Sequence, residues 1–319
     1  MLKKDIKSFI KNTLLVLIFT ALFFVLPPPL SFVCEVLAVS YFAYSIVKHD
    51  YRLLILEGAL CLSVCASLGG VYGLIISGLS IILLALSLGI GAKMKIPYPK
   101  VLFICSAVYL FSSAGSIYLV KNVSGDVFSL EYFYNTFNSV FSAMNESGYV
   151  LNQTAIDAVN SYVKSVVLFM MQITPAMMII ASIFCAFILT HIFKTILIKS
   201  KSSVYLNVTP FDRMHIGRLH ALAFIVLLMF NSLSAEGVLS DSILNVVIVL
   251  GFIFFASGIS LLDFRLKAQG KKKSTRRLME IAIIPVSYMF MFIPVFTFVL
   301  MGVADSFFNF RKHTIKKQG

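Results

Sequence analysis

The sequence contains no tryptophan and few charged residues. Only 13% of its 319 residues are charged and 59% are hydrophobic, with a mean hydropathy of +0.93, whereas about 25% of the residues in soluble domains are charged. A single globule of this size could not hide so much apolar surface from water, because it still exposes many side chains. The composition therefore excludes soluble, disordered, collagenous and disulfide-scaffold proteins, and it predicts an integral membrane protein.

Signatures of catalysis and of metal binding are also missing from the sequence. No HExxH, GxSxG or P-loop motif occurs, no CxxC pair occurs, and the five histidines are not spaced as metal ligands on one helix. Cys61 and Cys65 lie one helical turn apart and are interpreted as small apolar residues on one helix face. We therefore expect no catalytic residues, no metal and no cofactor, and active transport would need an ion gradient or a separate ATPase.

Two long apolar runs are interrupted by residues that break helices. One crossing of the hydrocarbon layer needs about 20 residues, but residues 12–47 contain a single charge, Glu35, and residues 58–92 contain none. Three prolines at 27–29 and two glycines at 69–70 are predicted to separate two spans each. The sequence thus predicts an all-α, polytopic transmembrane helical bundle of about nine spans, with eight as the alternative. The predicted spans are 12–27, 30–47, 53–69, 71–92, 101–120, 165–193, 217–235, 242–263 and 280–304.

Lysine and arginine are distributed unevenly between the two predicted faces. The N-terminus and the loops on its side carry 21 of the 27 basic residues, whereas the opposite loops carry only Lys121 and Lys164, together with six acids. Because cytoplasmic loops are enriched in basic residues, the N-terminus is predicted to be cytoplasmic, and the net charge of +13 needs no nucleic acid partner. With nine spans, however, the tail that begins at Arg311 falls on the outer face. Three explanations stay open: a bent hairpin around Pro285 and Pro294, one earlier span that does not cross, or an exception to the rule.

The predicted spans fall into three parts. Residues 1–120 hold five spans, residues 121–164 form an extracytoplasmic amphipathic segment, and residues 165–319 hold the remaining spans with a basic cytoplasmic loop at 265–277. In the middle part, aromatic residues recur at the spacing typical of a helix that lies on the membrane surface. These residues are Phe128, Tyr132, Phe133, Phe137 and Phe141.

Polar residues inside the spans are candidates for ligand binding, because they are costly in hydrocarbon. Glu35, near the outer end of span two, is a candidate site for a proton or a cation, or a partner for a neighbouring helix. Gln172 and Thr174 lie just before Pro175, which frees a backbone carbonyl and lets polar groups line a cavity. A plain kink bridged by polar helix contacts is the alternative. Glu57 is interpreted as reaching the cytoplasmic face from span three.

Other polar residues are predicted to join helices or to contact partners. Asn231 and Asn245 would face one another across a short outer loop and form an interhelical hydrogen bond. Asp305 and Arg311 would either cap the last span, if a turn brings them together, or form a partner-docking motif. The basic cluster of the 265–277 loop would either anchor the topology or contact anionic lipids or an acidic partner. It comprises Lys271, Lys272, Lys273, Arg276 and Arg277.

The end of the chain carries a specific motif. Residues 302–312 read GVADSFFNFRK, and this G-x-x-D-S-x-x-x-F-R-K ending resembles the YybS-like family, bacterial membrane proteins catalogued as a domain of unknown function. The proline-rich break after span one, the glycine-rich hairpin at 69–91 and Pro175 in span six are similar in layout. The resemblance implies a multi-pass protein of the bacterial plasma membrane and little chemistry.

The first six spans are also similar to the S components of energy-coupling-factor vitamin transporters. That resemblance implies a small molecule bound among six helices, with separate ATPases joined through a membrane coupling protein. The leading expectation is therefore a small-solute-binding, transport-type protein with Glu35, Gln172 and Thr174 at its site. The alternative is a non-catalytic membrane scaffold or regulatory partner, and an intramembrane enzyme acting on a lipid or peptide has the least support.

Overall fold

Every element in the described part of the computed structural model is a helix. The structure describes residues 2–28, 30–124, 135, 139, 153–202, 204, 206, 208, 210–233, 237–289 and 293–312. The five aromatic residues of the predicted surface helix lie outside the described residues. The helices are α1 Leu2–Val25, α2 Leu30–Lys48, α3 Tyr51–Tyr72, α4 Leu79–Lys93, α5 Tyr98–Ser124, α6 Gln153–Lys199, α7 Arg218–Leu233, α8 Val238–Ala268, α9 Lys273–Met289 and α10 Ile293–Phe308.

Six helical stretches of the described chain are long and apolar enough to cross a bilayer. Two shorter apolar helices, α7 and α10, accompany them. This agrees with the predicted all-helical membrane protein, while the count of nine spans and the cytoplasmic N-terminus stay predictions. The six stretches are Ile6–Val25, Leu30–Lys48, Tyr51–Lys93, Tyr98–Leu119, Ser161–Lys199 and Val238–Ala268.

The chain divides into two compact units. The first unit comprises Met1–Met171 and Ala181–Val208, and the second comprises Gln172–Ile180 and Thr209–Gly319. The long helix α6 contributes residues to both.

The breaks predicted from proline and glycine are present in the first unit. Helices α1 and α2 lie on either side of the three prolines. Gly70 has φ +60° and ψ −155°, a conformation that suits a residue without a Cβ. Beyond it a π-helical turn leads to Gly78, which lies directly against Leu62 and Cys65. The chain therefore folds back on α3, and the apolar run from α3 to α4 is not one straight helix.

A buried apolar core joins helices α1, α2, α3, α4, α5 and α6 of the first unit. Helix α4 approaches α2 closely because Gly89 has no side chain; a Cβ there would lie 2.7 Å from Ile46. Small residues allow helix backbones to approach in this way in membranes. The fully buried core residues include Val16, Val36, Leu84, Leu88, Val101 and Phe193.

Helices α8 and α10 run in the same direction in the second unit. Gly258 of α8 lies against the backbone of Phe298 and of Gly302 in α10. Further along both helices, the guanidinium carbon of Arg265 lies 5.6 Å from the ring centre of Phe310. The contacts advance along the two helices together, so α8 and α10 end at the same end of the unit.

The predicted span at 280–304 includes parts of two described helices, α9 and α10, and stays a prediction. Helix α9 ends at Met289, and α10 begins at Ile293. Pro285 lies inside α9, and Pro294 lies in α10.

The tail after α10 is tied to two other segments of the second unit. Arg311 donates hydrogen bonds to backbone carbonyls of Asp212, in the loop before α7, and of Ser257, in α8. The charge pattern assigns that loop to the same face as the N-terminus. The face on which the tail lies stays a prediction, and the three explanations for its basic residues stay open.

Candidate functional site

A turn after α10 brings Asp305 and Arg311 together. Helix α10 ends at Phe308, and Asn309 has φ +48°, a left-handed conformation that asparagine tolerates better than most residues. Nε of Arg311 then donates a hydrogen bond to Oδ2 of Asp305 at 2.9 Å, and the backbone N–H of Phe310 donates to Oδ1 at 3.0 Å. The turn that capping of the last span requires is therefore present.

The Asp305–Arg311 pair is buried and tied to two other segments. Asp305 is 0% exposed and Arg311 is 7% exposed. Nη1 of Arg311 donates to the carbonyl oxygen of Asp212 at 2.7 Å, Nη2 donates to that of Ser257 at 3.5 Å, and Nδ1 of His215 lies 3.3 Å from Oδ2 of Asp305. Buried ion pairs are stable only when such bonds satisfy their remaining groups. We call these five residues the terminal clamp.

Two further ion pairs lie near the terminal clamp. Nζ of Lys267 lies 2.5 Å from Oδ2 of Asp212, and Nη1 of Arg276 lies 2.7 Å from Oδ1 of Asp263. Arg276, predicted to contact lipids or a partner, is thus paired inside the unit, and the burial of the clamp favours structural capping over a docking motif. The other members of the basic cluster are exposed; they are Lys271, Lys272, Lys273 and Arg277.

Asn245 of α8 bonds to backbone groups on both sides of Pro175 in α6, the position of the predicted kink. Its Nδ2 donates to the carbonyl oxygen of Gln172 at 2.8 Å, and its Oδ1 accepts from the backbone N–H of Ala176 at 2.8 Å. In a regular helix those two backbone groups would bond to each other. The side-chain amide therefore satisfies both groups, as expected for a kink bridged by polar contacts between helices.

The polar residues around this kink are bonded to one another. The side-chain amide of Gln172 donates to the carboxylate of Asp241, and Asn245 also donates to the backbone carbonyl of Asp241 at 2.8 Å. Thr174 is exposed. Oδ1 of Asn231 accepts no hydrogen bond within the described ranges, so Asn245 contacts α6 rather than Asn231.

Replacing Asn245 by leucine is expected to destabilise the second unit by about 1–2 kcal/mol, because two backbone groups at the kink lose their partners. In a Pro175→Ala background the cost should fall, since the helix can then close its own hydrogen bonds. Asn231→Leu is the matched control and should cost little. Unfolding in SDS, followed by far-ultraviolet circular dichroism, measures all four variants. If Asn245→Leu lowered the free energy of unfolding equally in both backgrounds, the bridging role would be contradicted.

Glu57 is fully buried in the first unit. Its side chain is 0% exposed, and its Oε1 accepts a hydrogen bond from Oγ of Ser45 at 3.2 Å. Its Oε2 accepts none from any residue that the structure describes. The interpretation that Glu57 reaches the cytoplasmic face is therefore wrong, because its side chain lies on the face of α3 that meets α2. Glu35 lies on α2 and is half-buried.

Glu57 belongs to a row of polar side chains on α1, α2 and α3. Cys61 lies one turn after Glu57 on the same face of α3, and its Sγ lies 3.7 Å from Oγ1 of Thr20 in α1. Thr13 lies two turns before Thr20, on the same face of α1, and its buried hydroxyl has no partner in the described part of the chain. We call Thr13, Thr20, Ser45, Glu57 and Cys61 the polar seam.

The polar seam offers carboxyl, hydroxyl and thiol groups for hydrogen bonding inside an apolar core. In the described ranges, no group of three or more His, Cys, Asp or Glu side chains is placed to hold a metal ion. Sequence reasoning did not find the seam. The available signal was the spacing of Glu57, Cys61 and Cys65, which puts all three on one helix face.

Comparison with known proteins identifies a family. A family model described as "Predicted membrane protein (DUF2232)" matches residues 13–306. The matched range begins in α1 and ends one residue after Asp305, and it agrees with the resemblance to YybS-like membrane proteins of unknown function. No curated protein and no solved structure matches the sequence.

Proposed function

The chain belongs to the DUF2232 family of predicted membrane proteins, and we propose that it is a small-solute-binding, transport-type protein of the bacterial plasma membrane. We place the solute in the first unit, against the polar seam. The observation that carries the proposal is Glu57, a fully buried carboxyl group whose Oε2 has no hydrogen-bond partner among the residues described.

The energetic cost of this arrangement favours a binding role. An ionisable side chain within the membrane is expensive and marks a functional site by default, and a buried polar group without a partner adds to that cost. A solute that carries a protonated amine or another hydrogen-bond donor would supply the missing bond to Glu57. The hydroxyl of Thr13, also without a partner in the described chain, would bond to a second polar group of the same solute.

The three residues predicted to bind the solute contribute differently. Glu35 stays a candidate, because it is a second acid within the first unit. The side-chain amide and backbone carbonyl of Gln172 are already bonded to Asp241 and Asn245, so we assign Gln172 to the kink. Thr174 is exposed and belongs to the second unit, so it is not part of the site that we place at the polar seam.

The energy for transport would come from outside this sequence. It contains no P-loop, and the resemblance of the first six spans to vitamin-transporter S components favours a separate ATPase reached through a membrane partner. We place the N-terminus and the terminal clamp in the cytoplasm, because basic residues gather on that predicted face.

A thermal-shift screen of the purified protein tests the proposal. Amino acids, small amines and vitamins are added, and unfolding is followed with a thiol-reactive dye, because the five free cysteines lie in the first unit and four of them are buried. A compound at about 100 times its Kd should stabilise the folded state by about 2.7 kcal/mol. Glu57→Gln should abolish that shift.

Asp50→Asn is the matched control, because Asp50 is an exposed acid just before α3. Its variant should keep the full shift. No shift with any compound, or an equal shift for Glu57→Gln and the wild type, would sink the solute proposal.

The alternative function, a membrane scaffold or regulatory partner, is favoured by one feature. Lys271, Lys272, Lys273 and Arg277 are exposed together, beside a terminal clamp that fixes the neighbouring segments. A protein that co-purifies with the wild type and is lost on charge reversal of Lys271, Lys272 and Lys273, in the absence of any solute-dependent shift, would support this alternative.

A further inference from the structure

An open groove runs between α8 and α10 in the second unit. Its volume is about 440 Å³, and its walls include Leu261 of α8 and Leu300, Met301 and Ala304 of α10. Leu300 is 68% exposed. The walls are apolar and belong to two helices that are predicted to lie in the membrane, so an apolar chain can occupy the groove.

One end of the groove is cationic. Arg265 lines it and lies one turn after Leu261 on α8, and its guanidinium group lies 5.6 Å from the ring centre of Phe310, another lining residue. Arg265 is exposed, so its charge faces outward beside the apolar walls.

The nearby carboxylates do not neutralise Arg265, because each is bonded to another cation. Asp212 pairs with Lys267, Asp263 pairs with Arg276, and Asp305 pairs with Arg311. Within the described residues Arg265 forms no ion pair. The groove therefore combines apolar walls with one uncompensated positive charge at its end.

We propose that this groove binds one anionic phospholipid. An acyl chain would lie along Leu261, Leu300 and Ala304, and the headgroup phosphate would lie at the guanidinium of Arg265. The charge of the groove selects an anionic lipid over a zwitterionic one, and guanidinium groups match the geometry of phosphate oxygens. The exposed lysines at 271–273 would raise the local concentration of anionic lipids without selecting this site. The inference is independent of the solute proposal, because its residues belong to the second unit.

Native mass spectrometry of the full-length protein, released from detergent with added phosphatidylglycerol or phosphatidylcholine, tests the site. The wild type should retain phosphatidylglycerol in preference to phosphatidylcholine. Arg265→Gln should lower the retained phosphatidylglycerol about fivefold, as expected for one cation at a lipid surface. Ala304→Leu, which narrows the groove, should lower it as well.

Arg277→Gln is the matched control, because Arg277 is an exposed cation outside the groove lining, and it should change retention less than twofold. If Arg265→Gln and Arg277→Gln lowered the retained phosphatidylglycerol equally, the lipid would be attracted by the whole basic surface, and the proposal would be overturned. It would also be overturned if Ala304→Leu changed the fraction of dimers in the same spectra but left lipid retention unchanged, because the groove would then hold another helix. Circular dichroism of each variant confirms that the helices are intact.

Discussion

Replacing Arg311 by methionine is expected to destabilise the second unit by about 3–5 kcal/mol, the cost of leaving a buried charge without its partner. Methionine keeps an apolar side chain in place but removes the guanidinium group. Asp305, which is 0% exposed, then loses its cation, and the carbonyl groups of Asp212 and Ser257 lose their donor. Typical native stabilities are about 5–15 kcal/mol, so the change is large. Unfolding in SDS, followed by far-ultraviolet circular dichroism, measures it.

Lys312→Met is the matched control, because Lys312 is the next residue and is exposed. Its cost should stay within about 0.5 kcal/mol. Asp305→Asn combined with Arg311→Met should cost less than the two single changes added together, because the double variant no longer holds an uncompensated charge. Equal unfolding midpoints for Arg311→Met and Lys312→Met would refute the stabilising role of the terminal clamp.

Gly258→Ala and Gly302→Ala are each expected to destabilise the second unit by about 1–3 kcal/mol. A Cβ at Gly258 would lie 2.0 Å from the carbonyl oxygen of Phe298, and one at Gly302 would lie 2.1 Å from that of Phe254. Both clashes are with backbone, so no side chain can turn aside, and α8 and α10 must separate. The same SDS titration measures the loss.

Gly115→Ala provides the comparison, because a Cβ at Gly115 in α5 would meet no atom within 4 Å. That variant should be as stable as the wild type or slightly more stable, since alanine favours a helix over glycine. The double variant Gly258→Ala and Gly302→Ala should cost less than the sum of its parts, because one separation relieves both clashes. Unchanged stability in both single variants would disprove the close contact.

Breaks and turns that depend only on the residue type at one position could be predicted from the sequence. The three prolines before α2 and the glycine pair at 69–70 act on their own backbone, so their breaks follow from residue type alone. The turn between Asp305 and Arg311 is also local, since Asn309 adopts the left-handed conformation that reverses the chain. The membrane class follows from composition and the family match follows from the sequence, so neither depends on the packing of the helices.

Features that depend on packing were not predictable in the same way. A lone acid such as Glu57 faces the interior or the interface according to which neighbouring helix covers it. The bond between Asn245 and the kink at Pro175 joins positions about 70 residues apart.

The terminal clamp can form only at the end of protein synthesis. Asp305 and the acceptors of the clamp leave the ribosome before Arg311 does, and until that side chain arrives the carboxylate has no guanidinium to balance it. A transcript with a stop codon shortly before position 311 would therefore yield a chain with nearly every span but an unfinished second half. Membrane quality-control proteases would be expected to recognise and remove such truncated products.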